Sequence, residues 1–206
     1  MLRAENLHLW RGDRHVLQGV SLEVSGGECL QITGSNGAGK TSLLRTLSGL
    51  MYPEEGRVLW RDQSIGSDLM GYHTELAYIG HEPPLKSDLT ARENLHYWIG
   101  IRWAVSPAEI DNALELVGAH EWSDRPVRTL SAGQKRRVAL AGLTLMMSVP
   151  LWLLDEPTTN LDKEGQQLVG TLIEEHLELG GLVVAAIHHD LSVRTTAVRR
   201  LELARE

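Results

Sequence analysis

The sequence predicts an α/β fold, with a core of buried parallel strands separated by helices, an antiparallel β layer ahead of it and an inserted helical subdomain. Three observations lead there. Four short continuous apolar runs, CLQIT at 29–33, LAYI at 76–79, LWLL at 151–154 and LVVAAI at 182–187, are separated by helix-like segments, as strands covered on both faces are. The opening segment places Leu7, Leu9, Val16, Val20, Leu22 and Val24 near alternation, which suits antiparallel strands in a small β layer. Residues from about 85 to 148 read as mostly helical and fall between two of the strands.

The helix ends are written locally. Thr90-Ala-Arg-Glu93 fits a capping box, and Ser106-Pro107-Ala-Glu109 combines an N-cap, a proline at the first helical position and a reciprocal glutamate. Gly118 is placed to end the second of these helices. The amphipathic stretch from Asp162 to Leu179 stops at Gly180-Gly181.

At 206 residues with 42% hydrophobic content, the chain is expected to form one globular domain over 1–206, with the helical subdomain at about 85–148. A formal charge of -7 opposes a broad basic surface, so no nucleic acid partner is expected. No run of 18 apolar residues occurs and the N-terminus lacks a secretion signal, which leads to the expectation of a cytosolic, soluble chain. Cys29 stands alone, excluding an intrachain disulfide or a cysteine metal cluster.

Chemistry enters after CLQIT. Gly34-Ser35-Asn36-Gly37-Ala38-Gly39-Lys40-Thr41 matches GxxxxGK[ST] and leads directly into the helical pattern SLLRTLSGL, the strand-to-helix setting that a phosphate-binding P-loop requires. The glycines let successive backbone N–H groups face phosphate oxygens, and the helix N-terminus adds partial positive charge. Lys40 suits the β- and γ-phosphates, Thr41 a Mg²⁺ ion, and Ser42 offers a further hydroxyl. The motif implies a nucleoside triphosphate with Mg²⁺. In LWLLDEP, Asp155 and Glu156 stand where a strand ends, the usual place for ligand chemistry in an open α/β sheet. Asp155 suits a Mg²⁺ contact, and Glu156 suits a general base that polarises the attacking water.

Leu130-Ser131-Ala132-Gly133-Gln134, followed by KRRVALAGLTL, resembles the ABC signature LSGGQ with one glycine replaced by alanine. Ser131 at a helix N-terminus and the Gly133 backbone suit a γ-phosphate. The resemblance implies a P-loop NTPase core of ABC ATPase type, in which this element caps ATP held by a second copy, giving an ATP-dependent homodimer. Asn160-Leu161-Asp162 looks like the D-loop of that family, and Asp162 also reads as a helix N-cap. His188, or His189 if the register shifts by one, is similar to the switch histidine that contacts the γ-phosphate.

ITGSNGAGKTSLLRTLSGL, LAYIGHEPPLKSDLTARENL and the ending HHDL together resemble the haem-exporter ATP-binding proteins of cytochrome c biogenesis, the CcmA family. That resemblance implies ATP hydrolysis powering haem export or haem-chaperone release. It further implies polytopic membrane partners and a peripheral position on the cytoplasmic face of the bacterial inner membrane, with residues around Pro83 to Trp103 meeting the partner. Two positions depart from the wider ABC pattern. Glu82 stands where those proteins carry a glutamine near Mg²⁺, and Arg11, beside Trp10, stands near the position of an adenine-stacking aromatic. The rival readings are an ABC ATPase of another exporter or outside transport, a P-loop kinase or GTPase, which leaves the SAGQ element unexplained, and an ATP-holding module without turnover.

Overall fold

The computed structural model describes residues 1–188, 191, 193 and 197–203. The alternating N-terminal segment forms β1 (Leu2–Arg11) and β2 (Arg14–Val24), an antiparallel pair joined at Gly12-Asp13. CLQIT forms β3 (Cys29–Thr33), and the P-loop then enters α1 (Lys40–Leu47). The chain returns to the antiparallel layer through β4 (Glu55–Trp60) and the short β5 (Gln63–Ser64), completing the order β2-β1-β4-β5. After α2 (Leu69–Thr74) and β6 (Leu76–Ile79) come α3 (Ala91–Gly100), α4 (Pro107–Leu116) and α5 (Ala132–Leu145). The chain then re-enters the sheet as β7 (Leu151–Asp155), followed by α6 (Lys163–Glu178), β8 (Leu182–Ala186) and β9 (Val198–Glu202).

All four apolar runs lie in one parallel sheet of order β6-β7-β8-β3-β9. Period-2 geometry divides each strand between two cores. Trp152, Leu154, Val183 and Ala185 face the core shared with α3 to α6, whereas Leu151, Leu153, Leu182 and Val184 face α1 and the antiparallel layer. Burial on both faces therefore explains why these strands read as unbroken apolar runs. Trp152 is fully buried, and cutting it to alanine costs about 3–5 kcal/mol by the usual measure of a large core deletion.

The sequence signals fix the helix ends. Thr90 and Ser106 each accept from the backbone of the glutamate three residues on, which reciprocates. Gly118 and Gly180 take left-handed φ just beyond α4 and α6, and Asp162 caps α6 through the Gly165 N–H. β9, with the sequence VRRLE, was not expected as a strand. It is an edge strand paired, among the described residues, only with β3, and its exposed arginines hide the apolar signal.

Candidate functional site

Because β6, β7, β8 and β3 run parallel, their carboxyl ends lie on one edge of the sheet, and every loop leaving them meets there. The P-loop follows β3, Gly80-His81 follows β6, Asp155-Glu156 closes β7 and His188 follows β8. The cleft they border has a volume of about 450 Å³. Asn36, Gly37, Gly39, Lys40, Thr41 and Ser42 line its floor, with Glu156, His81 and His188 on one wall. Arg11, Arg14 and Val16 reach it from the antiparallel layer. A larger cavity of about 620 Å³ lies beyond Arg14 and Ala38, between β2 and β9, and holds neither Lys40 nor the Asp155-Glu156 pair.

Gly39 shows why the loop needs glycine. Its φ is 102°, and a Cβ there would lie 2.9 Å from Val16 Cγ1, so any side chain would be both strained and blocked. Lys40, buried despite its charge, donates from Nζ to the carbonyls of Gly34 at 2.7 Å and Ser35 at 3.3 Å. Those contacts fold the ammonium back over the loop, where incoming phosphate oxygens would compete for it. Arg14 donates to the Gly37 carbonyl and adds a second cation that the sequence did not single out.

Asp155 lies beneath the loop. Burial pushes its carboxyl above the usual carboxylate range, a hydrogen bond from Thr41 opposes the rise, and neighbouring Glu156 adds to it. Its Oδ2 is buried without a hydrogen-bond partner. An orphaned carboxylate oxygen beside a threonine hydroxyl is the donor set that a Mg²⁺ ion with phosphate and water ligands accepts.

Glu156 turns the other way. Its φ of 52° is left-handed, a conformation that costs an L-residue roughly 1–2 kcal/mol. The turn is held by its N–H on the Ala186 carbonyl at 2.9 Å and by Arg136, which donates to the carbonyls of Asp155 at 3.1 Å and Glu156 at 2.6 Å. The other arm of the same guanidinium donates to the Gly80 carbonyl at 3.1 Å. Thus α5 is tied to the ends of β6 and β7 through one buried cation. Out in the cleft, Glu156 Oε1 meets His188 Nε2 at 2.6 Å, while Oε2 accepts from Thr159 at 3.1 Å and lies 3.3 Å from His81 Nδ1. Burial opposes ionisation of Glu156, but His188, Thr159 and His81 outweigh it and hold the carboxyl below its usual range.

The remaining expected residues lie elsewhere. Ser131 caps α5 in a reciprocal box with Gln134, and a Cβ on Gly133 would fall 2.6 Å from the Asn160 carbonyl, so the signature packs against the D-loop. Neither lines the cleft. Glu82 is exposed and does not line the cleft, whereas the adjacent His81, also exposed, borders it. Trp10 stacks on His15, with centroids 3.8 Å apart and planes 7° from parallel, so Arg11 rather than the indole reaches the cleft. His189 lies outside the described residues. His81, Arg14, Arg136 and Thr159 were missed; the GHE tripeptide was the only local hint of the first.

Fold and site together define an ATPase of the P-loop class, with the strand-end carboxylates and the separate signature helix of an ATP-binding cassette. A family model described as ABC transporter matches residues 17–159. The chain is 49% identical to the cytochrome c biogenesis ATP-binding export protein CcmA of Methylococcus capsulatus, over 94% of this chain and 93% of that protein. It is 43% identical to the protein of the same name from Escherichia coli, over 98% of this chain and 96% of that one. A dimeric ATP-binding cassette in a post-hydrolysis state, bound to ADP and Pi, superimposes with a TM-score of 0.81 at 25% identity, over all of this chain and 97% of its own. The chain belongs to the ABC transporter family, as an ATP-binding subunit that hydrolyses ATP.

Proposed function

We propose that this chain powers haem export, or release of a haem chaperone, in cytochrome c biogenesis, as an ATP-dependent homodimer that uses Mg²⁺. The names of the two CcmA relatives support the biological setting. The observation that carries the mechanism is a division of phosphate ligands: Lys40, Thr41 and His188 line the cleft, whereas Ser131 and Gly133 do not. A site of that kind is completed when a second copy brings its own Ser131 and Gly133 over the γ-phosphate.

In the closed site, the P-loop N–H groups and Lys40 bind the β- and γ-phosphates. Mg²⁺ held by Thr41 and Asp155 would neutralise charge on those oxygens. Glu156 accepts a proton from the attacking water as its oxygen bonds to the γ-phosphorus, the bridging bond breaks and ADP leaves. His188 donates to the γ-phosphate and leaves Glu156 Oε1 to the water.

No helix among the described residues is long and apolar enough to cross a membrane. A groove of about 220 Å³, lined by Pro84, Trp98, Arg102 and the 59% exposed Leu50, supports docking onto polytopic membrane subunits. The chain would then sit peripherally on the cytoplasmic face of the bacterial inner membrane. The test is complementation of a strain lacking its own cytochrome c biogenesis ATPase. Wild type is expected to restore haem-stained c-type cytochromes and Glu156→Gln to fail. An expressed, ATP-hydrolysing wild type that restores none would overturn the assignment to this pathway.

A further inference from the structure

We propose that His81 is a positioning residue for Glu156, holding the carboxylate oxygen that the other histidine does not, so that the base stays aimed when His188 turns to nucleotide. The proposal rests on the reading of Glu156 as general base. The geometry is specific. Glu156 presents its carboxylate from a left-handed backbone, and each oxygen is held from a different strand end. Oε1 is held by His188, from the loop after β8, at 2.6 Å; Oε2 is approached by His81, from the loop after β6, at 3.3 Å. Thr159, three residues beyond Glu156 on the same turn, donates to Oε2 at 3.1 Å.

These contacts differ in what happens to them during a turnover. The His188 contact is exchanged when that imidazole donates to the γ-phosphate, and Oε1 becomes the acceptor for the water. Without a second restraint the carboxylate would be held only by Thr159, on the same turn, and rotation about its terminal torsion has broad minima. His81 supplies a restraint from a separate element. Its own backbone is pinned one residue earlier, where the Gly80 carbonyl accepts from buried Arg136, the same guanidinium that holds the Glu156 carbonyl. One buried cation therefore sets the distance between the histidine and the carboxylate it holds.

His81 is exposed enough to be replaced without disturbing the core, its side chain keeping 59% of its accessible surface. The test uses the purified full chain and measures steady-state and single-turnover ATP hydrolysis, together with fluorescent-nucleotide affinity, for wild type, His81→Ala and His81→Asn, each also in a Glu156→Gln background. General-base catalysis contributes roughly 100- to 10,000-fold, and loss of one aiming contact is expected to remove about tenfold of it. His81→Ala should thus lower kcat about tenfold with KM and nucleotide affinity changed less than about twofold. His81→Asn, whose amide nitrogen takes the place of Nδ1, should recover most of the rate. In the Glu156→Gln background His81→Ala should have no further effect on single-turnover hydrolysis, because the group it positions is already gone. An unchanged or raised kcat in His81→Ala overturns the proposal, as does a tenfold loss that persists in Glu156→Gln. Failure of Glu156→Gln to impair hydrolysis would instead remove the general-base reading on which it rests.

Discussion

Arg136→Met replaces the one buried cation that ties α5 to both strand ends with an apolar side chain of comparable length. The guanidinium donates to the carbonyls of Gly80, Asp155 and Glu156. Burial pulls its pKa down from that of a free guanidinium, with the Asp155 and Glu156 charges opposing the fall. Removing it lifts the desolvation cost of the cation but leaves up to three carbonyls short of a donor. One of these, Glu156, retains the Thr159 N–H at 3.1 Å. Two orphaned acceptors at about 1–3 kcal/mol each, less the relief of the cation, give a net loss of about 2–4 kcal/mol. At about 2–4 °C per kcal/mol for a chain of this size, the melting temperature should fall by about 5–15 °C. Circular dichroism melts check this, and ATP turnover checks the consequence: kcat should fall more than tenfold while nucleotide affinity changes less than about threefold, since the hydrogen bonds of Arg136 go to Gly80, Asp155 and Glu156 and those of Lys40 to its own loop. Arg136→Lys should be intermediate, because a single ammonium lacks the planar fork that reaches three acceptors. A melting temperature within about 2 °C of wild type and kcat within about twofold would refute the reasoning.

Two further outcomes follow from the same geometry. His176 lies against Trp152 with centroids 4.0 Å apart, and burial holds its pKa below that of a free imidazole despite backbone hydrogen bonds that oppose the shift. The native state therefore binds fewer protons than the unfolded one, so this residue's contribution is complete above about pH 6.5 and is lost as pH falls towards the folded value; urea midpoints measured from pH 7.5 down to 5 should drop more for wild type than for His176→Leu. At the base end of the cleft, Arg11→Ala should weaken ATP binding about two- to fivefold, the worth of one exposed guanidinium stack, while Trp10→Ala, whose indole is engaged with His15, should change it less than about twofold in a fluorescent-nucleotide titration.

Much of the fold and part of the site are legible in the chain because their signals are local. Strands covered on both faces appear as apolar runs, the P-loop is a contiguous string, and the capping boxes of α3 and α4 span four residues each. What escaped depends on partners distant in sequence. Arg136 sits in the run KRR, which reads as a solvated face, and is buried only because three carbonyls from strand ends converge on it. That His81 and not Glu82 borders the cleft turns on which way the backbone leaves Gly80, a tertiary outcome that neighbouring residue identities do not encode. The same holds for β9, whose segment VRRLE carries no clear alternation and becomes a strand through its pairing with β3.

The composite site is tested most directly by the mass of Glu156→Gln in solution. Without nucleotide the variant should run as a monomer of 22.9 kDa by light scattering, and with saturating ATP and Mg²⁺ it should double, since both signature helices then close over uncleaved γ-phosphates. Adding Ser131→Arg, which fills the capping position with a bulky side chain, should abolish the doubling without weakening nucleotide binding to the monomer. A Glu156→Gln protein that binds ATP tightly and remains monomeric would contradict the division of ligands between two copies.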